Sequence, residues 1–391
     1  MIQEKINALH LPDLLTFNDG TPVESVADWQ RRREELIEFV LEEEYGKIPN
    51  IPLQITCEEI TDDITDTTVG KLAFAGKAVS RKFMITVKSE KDEASFPFNL
   101  VYPNTGKPAP VIVHIAFNPL PHNYLPLEEV IDNGFAVVNV YYNDITLDKN
   151  EYESGIAKLF GEHAGNKPGK IAMWAWAASR ILDQLEKLGC VDTENAAVLG
   201  HSRLGKTALL CGALDTRFKY VFPNDSGCCG TSISRQKVGE TVHIIYSVFP
   251  FWFCENFEKY IDGYCADFSA QRAAHENDPA WLENEINSHR EEAAMPFDQH
   301  FLAALVAPRY LAVGGAVEDT WADPNSEYLT MCEIDRVYDL LGMKGFVHPD
   351  RLPVPGDTFH EGTVGLHLRA YGHYLSRYDW QRYMEFLRSH P

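Results

Sequence analysis

Between a short apolar run and a helix-like one the chain reads Gly200-His-Ser-Arg-Leu-Gly-Lys-Thr207, a stretch that two chemistries could use. The pattern G-x-x-x-x-G-K-[ST] is that of a phosphate-cradling loop. The same residues set Ser202 between a strand and a helix, where a hydrolase exposes its nucleophile. A phosphate loop curls backbone N–H groups around its anion, which favours small residues between its glycines. Here His201, Ser202, Arg203 and Leu204 fill that interval. At least two strand units also precede the turn, whereas many phosphate-loop domains begin with it. Gly200 suits a tight turn, although Leu204 takes the place of the second glycine of G-x-S-x-G and Gly205 follows one position later. The Arg203 amide would then face the site as an oxyanion donor. Taken alone, Ser202 reads first as a helix N-cap.

Residues downstream shift that balance. A hydrolase of this kind places acid and histidine after the nucleophile. The apolar run RYLAVGGA (309–316) is followed by Val-Glu318-Asp319-Thr-Trp321, which puts carboxylates just past a strand end. His373 stands in RAYGHYLSRYDW, shortly before a final helix, with His360 and His367 as competitors. Ser202, Asp319 and His373 therefore follow in the order of a Ser-His-Asp triad.

The elements that must position them follow from hydrophobic period. VIVHIAF (111–117) and GFAVVNVYY (134–142) are unbroken apolar runs, as in strands buried on both faces. LPLEEVIDN between them predicts a short helix, and GKIAMWAWAASRILDQLEKLG repeats apolar residues at the helical period before Gly189 stops it. AAVLG, KYVFP and RYLAVGGA predict further strands. KTALLCGAL, PNSEYLTMCEIDRVYDLLG and DWQRYMEFLRSH predict helices. Such alternation implies a mostly parallel sheet covered on both faces, an α/β three-layer sandwich. Residues 1–105 begin loop-rich, then predict a helix over 25–45 and antiparallel strands in LAFAGKAV and KFMITVK. Residues 227–300 lack a strand–helix rhythm and read as an insertion, a lid over the C-terminal edge of the sheet. The whole, 1–391, reads as one domain.

Composition narrows the partners. With 35 basic and 57 acidic residues the net charge is −22, which repels nucleic-acid backbones and phospholipid surfaces. No segment approaches the ~18 apolar residues of a membrane span. The N-terminus MIQEKINALHLPDLLTF lacks the pattern of a signal peptide, so a cytoplasmic protein is expected. Eight scattered cysteines without C-x-x-C pairs fit reduced, mostly buried thiols rather than a zinc site.

GHSRLGKTALL, NDSGCCGTSISR, VGETV with FPFWFCENF, EDTWADP and GLHLRAYGHYLSRYDW together resemble the glucuronoyl esterases among carbohydrate esterases. Bacterial relatives of that family are often labelled acetylxylan esterases. The similarity runs from VIVHIAF to the last helix and implies an α/β-hydrolase fold. It implies Ser202 as nucleophile, His373 as base and the Arg203 side chain as oxyanion support. Lys206 would bond sugar hydroxyls, and Glu240 and Trp321 would line a uronate pocket. The family's acid occurs at either of two places, matching Asp319 and Asp225; the chain has both, and Asp319 is the favoured one, since Ser226 and Gly227 open the loop around Asp225 to water. Cys229 departs from the glycine usual in S-G-x-G-G. The resemblance implies a cofactor-free serine esterase acting on a small-molecule or oligosaccharide ester, most readily of glucuronic acid. A sugar O-acetyl esterase and a non-catalytic carbohydrate-binding relative are the alternatives.

Overall fold

The computed structural model describes residues 1–60, 75–161, 163–261, 263, 267–275 and 277–391. One ten-stranded sheet organises them, in the order β1-β2-β3-β5-β4-β6-β7-β8-β10-β9. Its strands are β1 Gln54–Ile60, β2 Ala78–Lys88, β3 Glu93–Pro103, β4 Pro110–Ala116, β5 Ala136–Tyr141, β6 Asp192–His201, β7 Tyr220–Asn224, β8 Tyr310–Ala316, β9 Thr358–Phe359 and β10 Val364–Arg369. From β5 through β4, β6, β7 and β8 to β10 every pairing is parallel. β1, β2 and β3 extend the sheet antiparallel on one side, and β9 on the other.

Side-chain alternation along the strands divides the core in two. Val111, Val113, Ile115, Val198, Val221, Leu311 and Val313 face a large core that includes the helices Val26–Val40, Lys170–Leu188, Arg203–Leu214 and Pro324–Leu340. Ile112, Val137, Ala197, Leu199, Phe222 and Ala312 face a smaller one beneath the helices Leu127–Asp132 and Arg377–Ser389. The result is the three-layer α/β sandwich expected from the sequence, and the unbroken apolar runs are its inner strands. Local signals fix the helix ends. Gly189 closes Lys170–Leu188 at φ 60°, a left-handed conformation that suits glycine. Ser25 caps Val26–Val40 through the Asp28 N–H, and Ser376 with Asp379 forms a capping box at the start of Arg377–Ser389.

Several elements were not anticipated, the strands β3 and β9 among them. The opening residues form a helix, Ile2–Ala8, whose Ile2 and Ile6 are buried. β1 and β10 add strands at QITCEEI and VGLHLR. Of LAFAGKAV only Ala78 and Val79 fall in a strand, β2, which also holds KFMITVK; its first residues lie outside those described. Within 227–300 the described residues form short helical segments and no strand, from Val242–Val248 to His300–Ala304, which begins at its end. Among the described residues no helix is long and apolar enough to cross a membrane.

Candidate active site

β6 ends at His201, and Ser202 turns the chain into the helix Arg203–Leu214 with φ 59° and ψ −127°. A residue with a Cβ avoids this region unless its surroundings enforce it. They do so here: the Ser202 N–H donates to the Asn224 carbonyl at 2.9 Å, pinning the turn to β7. A Cβ on Gly200 would meet the Leu204 carbonyl oxygen at 2.0 Å, so only glycine fits before the turn. A Cβ on Gly205 would meet the Asn224 carbonyl oxygen at 2.9 Å, so glycine there lets the helix lie against β7, while Leu204 is wholly buried. The displaced glycine of this elbow therefore answers to packing one residue further on. The Ser202 side chain makes no cap bond, and Gly205 and Lys206 are the first amides to reach the Ser202 carbonyl. By helix geometry the Arg203 amide stands at the open N-terminal end.

Ser202, Arg203, Lys206, Asp225, Glu240, Asp319, Trp321 and His373 all line one cavity of about 350 Å³, joined by Phe249, Trp252 and Arg272 from the 227–300 segment. The sequence-predicted residues thus converge on the C-terminal ends of β6, β7 and β8 and on the loop after β10. Larger hollows lie elsewhere among the described residues. One, of about 700 Å³, runs from Trp176 to Arg217 and holds Cys211, whose thiol burial pushes up to about 12. A second, of about 950 Å³ around Tyr371 and Tyr378, meets the cavity only through His373. A third, of about 560 Å³ beside Trp281, shares Arg272 with the cavity.

His373 Nδ1 and Asp319 Oδ2 are 2.6 Å apart. Burial pushes the Asp319 carboxyl up, but the bond and charge of His373 outweigh it and hold it below the usual range. The bond occupies Nδ1, leaving Nε2 as the nitrogen that can exchange a proton. His201 lies against His373 with ring centroids 4.3 Å apart, and its Nδ1 is bonded to Asn224 Oδ1 at 2.7 Å. Burial and the neighbouring His373 push His201 down to about 3, so this ring stays neutral.

Asp225 corrects one expectation: its carboxylate is buried, at 2% exposure, not open to water. The residue turns left-handed at φ 42°, and its N–H bonds the Gly314 carbonyl at 2.7 Å, which folds the side chain inward. There Oδ2 accepts from Arg369 at 3.1 Å. Burial pushes its pKa well up, against the pull of Arg369. The rival histidines are engaged elsewhere: His367 is buried and bonded to Asp379 at 3.0 Å, and the half-buried His360, pushed down to about 2 chiefly by desolvation, packs on Phe386. Cys229 adopts φ 52°, the conformation for which a glycine would be usual.

Lys206 is buried, and its Nζ donates to the Ser226 carbonyl at 2.6 Å. Glu240 is held through its backbone by the Trp321 carbonyl, and the Arg272 guanidinium lies over the Trp321 ring at 5.1 Å. The Arg203 guanidinium pairs with Asp148 and sits over Trp252 at 4.7 Å, with Phe249 and Phe117 beside it. Asp148 also accepts from Trp252 Nε1 at 2.6 Å. Sequence reasoning missed Asp148, Trp252, Arg272 and Arg369. Asp148 carries the one legible signal, a carboxylate shortly after an apolar strand end.

Among the described residues, two groups of side chains have metal-compatible donors within 4.8 Å of one another: His201, Asp225 and His373, and His243, His289 and Glu291. In the first, His201 Nδ1, Asp225 Oδ2 and His373 Nδ1 already have Asn224, Arg369 and Asp319 as partners. In the second, the imidazoles stack with centroids 3.8 Å apart and 8° between planes, so their lone pairs run side by side instead of converging.

A family model described as glucuronyl esterase of fungi matches residues 85–265 and 266–342. A carbohydrate esterase of an unknown prokaryotic organism is 31% identical over 423 residues, covering 97% of this chain and 89% of that protein. A 4-O-methyl-glucuronoyl methylesterase of Wolfiporia cocos is 30% identical over 348 residues, 86% of this chain and 73% of its own. Among solved structures, a glucuronoyl esterase from Solibacter usitatus superposes with TM-score 0.80 at 30% identity, over 97% of both chains. A promiscuous CE15 esterase from the marine bacterial metagenome gives 0.80 at 29%, again over 97% of each. The family model spans well over half of the chain, and the fold and cavity agree with it: the protein belongs to the glucuronoyl esterase family.

Proposed function

We propose that this protein hydrolyses esters of glucuronic acid, including its 4-O-methyl form, through an acyl-enzyme on Ser202. The observation that carries the reading is the His373–Asp319 bond of 2.6 Å on the wall of the cavity that Ser202 enters from its elbow. His373 takes the Ser202 proton on Nε2 as Oγ attacks the ester carbonyl, then gives it to the departing alcohol. Asp319 orients the imidazole and stabilises its cation. The Arg203 amide and guanidinium hold the oxyanion, the latter fixed by Asp148. Lys206, Glu240 and Trp321 line the sugar's place, and a volume of about 350 Å³ suits a single uronate ring. The relatives named 4-O-methyl-glucuronoyl methylesterases support uronate over acetate.

The test compares kcat/KM on benzyl glucuronate with that on acetylated xylo-oligosaccharide, for the native protein and for Ser202→Ala. Preference for the uronate ester, lost in Ser202→Ala, is expected. Faster acetate release would make the protein a sugar deacetylase, and turnover surviving in Ser202→Ala would remove the nucleophile assignment.

A further inference from the structure

His373 projects from the short loop 370–376 between β10 and the last helix, and its side chain is 44% exposed. Exposed loops are ordinarily the mobile parts of a fold. A base that must meet a serine hydroxyl within hydrogen-bond reach cannot wander. Apolar packing anchors only its far end, where Leu375 is buried and Tyr374 lies against Tyr124 with ring centroids 4.6 Å apart, whereas Tyr371 on the near side of His373 is 76% exposed. What holds the stretch that carries His373 is polar.

Arg369, the last residue of β10, is 7% exposed and lies beneath the loop. Its Nη1 donates to the carbonyls of Ala370 at 3.1 Å and Gly372 at 2.8 Å. Its Nη2 donates to the Tyr374 carbonyl and to Asp225 Oδ2 at 3.1 Å. Its Nε donates to Asp379 Oδ2 at 2.9 Å. A guanidinium has five N–H donors in a fixed fork, and each of these bonds uses one. Three therefore grip the loop on both sides of His373. The other two tie that grip to the end of β7, through Asp225, and to the start of the last helix, through Asp379. Asp379 is itself held by the Ser376 amide and hydroxyl and by His367.

We propose that Arg369 is the positioning residue of His373, a clamp that fixes the histidine loop against β7 and the last helix. Asp225 then serves as counter-ion to the clamp, which explains a buried carboxylate in the cavity wall that is not bonded to the histidine. The inference rests on His373 being the base.

The experiment measures kcat and KM on benzyl glucuronate, and the rate of Ser202 labelling by a fluorophosphonate, for Arg369→Met, Arg369→Lys and Arg369→Met/Asp225→Asn. Misplacement of the base by a fraction of an ångström to an ångström should lower kcat of Arg369→Met by about 10- to 100-fold. KM should stay within about threefold, because substrate contacts are untouched. Labelling should slow in parallel with kcat. Lysine, with three donors, should restore only part of the rate. The double variant should melt higher than Arg369→Met, since the uncompensated acid is gone, yet keep the low kcat. A folded Arg369→Met with native kcat and labelling would overturn the clamp. So would a loss confined to KM, or a double variant with restored kcat. If Arg369→Met does not fold, Arg369→Lys decides the matter, and native kcat in it overturns the proposal. His373→Ala separates the two levels: turnover surviving there defeats the reading of the site and the clamp with it. Turnover lost there but intact in the Arg369 variants defeats the clamp alone.

Discussion

Two carboxylates stand near one imidazole, and their different partners give them different work. Asp319 bonds His373 directly, whereas Asp225 spends its accepting oxygen on Arg369. Asp319→Asn should therefore lower kcat by about 10⁴-fold, the usual loss when a triad acid goes. Asp225→Asn should reduce it far less and show mainly as a lower Tm. Measuring kcat and Tm for both on benzyl glucuronate checks the pair, and a larger kcat loss in Asp225→Asn would reverse the assignment. At this scale the sequence carried most of the cavity. Ser202, Asp319 and His373 were legible because strand ends and chain order restrict where a triad can form. The water exposure of Asp225 was misjudged because burial depends on Arg369, 144 residues away. Asp148, Trp252 and Arg272 were missed for the same reason: they meet Arg203 and Trp321 only after folding, at no characteristic spacing.

The elements add two consequences. The 227–300 segment contributes Trp252, whose indole N–H anchors the Asp148 carboxylate that pairs with Arg203. Trp252→Phe should keep the ring over the guanidinium yet lose that anchor, lowering kcat about tenfold, a fraction of the loss seen when an oxyanion donor itself is removed. Comparison of kcat with KM for this variant tests whether the segment acts on the transition state. A second consequence lies in the π-helical turn Leu41–Tyr45, which buries Glu44 with Gln299 Nε2 as donor at 3.0 Å. Burial pushes Glu44 from 4.5 to about 8, so the folded chain holds a proton there that the unfolded chain releases above 4.5. Stability should thus fall as pH rises from 4.5 to about 8. Glu44→Gln should flatten that decline, raising Tm at about pH 8 more than at about pH 5. Equal effects at both would refute the assignment. Inner strands and long helices were legible from their period. β1 was hidden because it is a partly exposed edge with little apolar signal, and β10 because it carries His367 and Arg369. Such residues look foreign to a buried strand until Asp379 and Asp225 are seen to pair with them.

For the whole molecule, the alternation of strands and helices sufficed to anticipate a three-layer sandwich, and the scattered cysteines to anticipate free thiols. Seven described cysteines are unpaired; Cys57 and Cys190 are half-buried and the other five buried. A thiol reagent should label the half-buried pair quickly in the native protein and the five only on unfolding, and dithiothreitol should leave Tm unchanged. Rapid labelling of Cys211 or Cys254, whose thiols burial pushes up to about 12, would contradict the packing. A global balance also bears on Ser202. Its backbone, at φ 59° and ψ −127°, is tolerated because β6, β7 and the following helix hold it there. Such residues typically cost about 1–3 kcal/mol, which glycine would largely relieve. Ser202→Gly should consequently melt above Ser202→Ala, which keeps the Cβ and the strain. Catalysis and thermostability are opposed at this one position. A copy of the gene released from selection for turnover would gain robustness by losing its serine, and variants selected for heat resistance alone should drift toward glycine at the elbow.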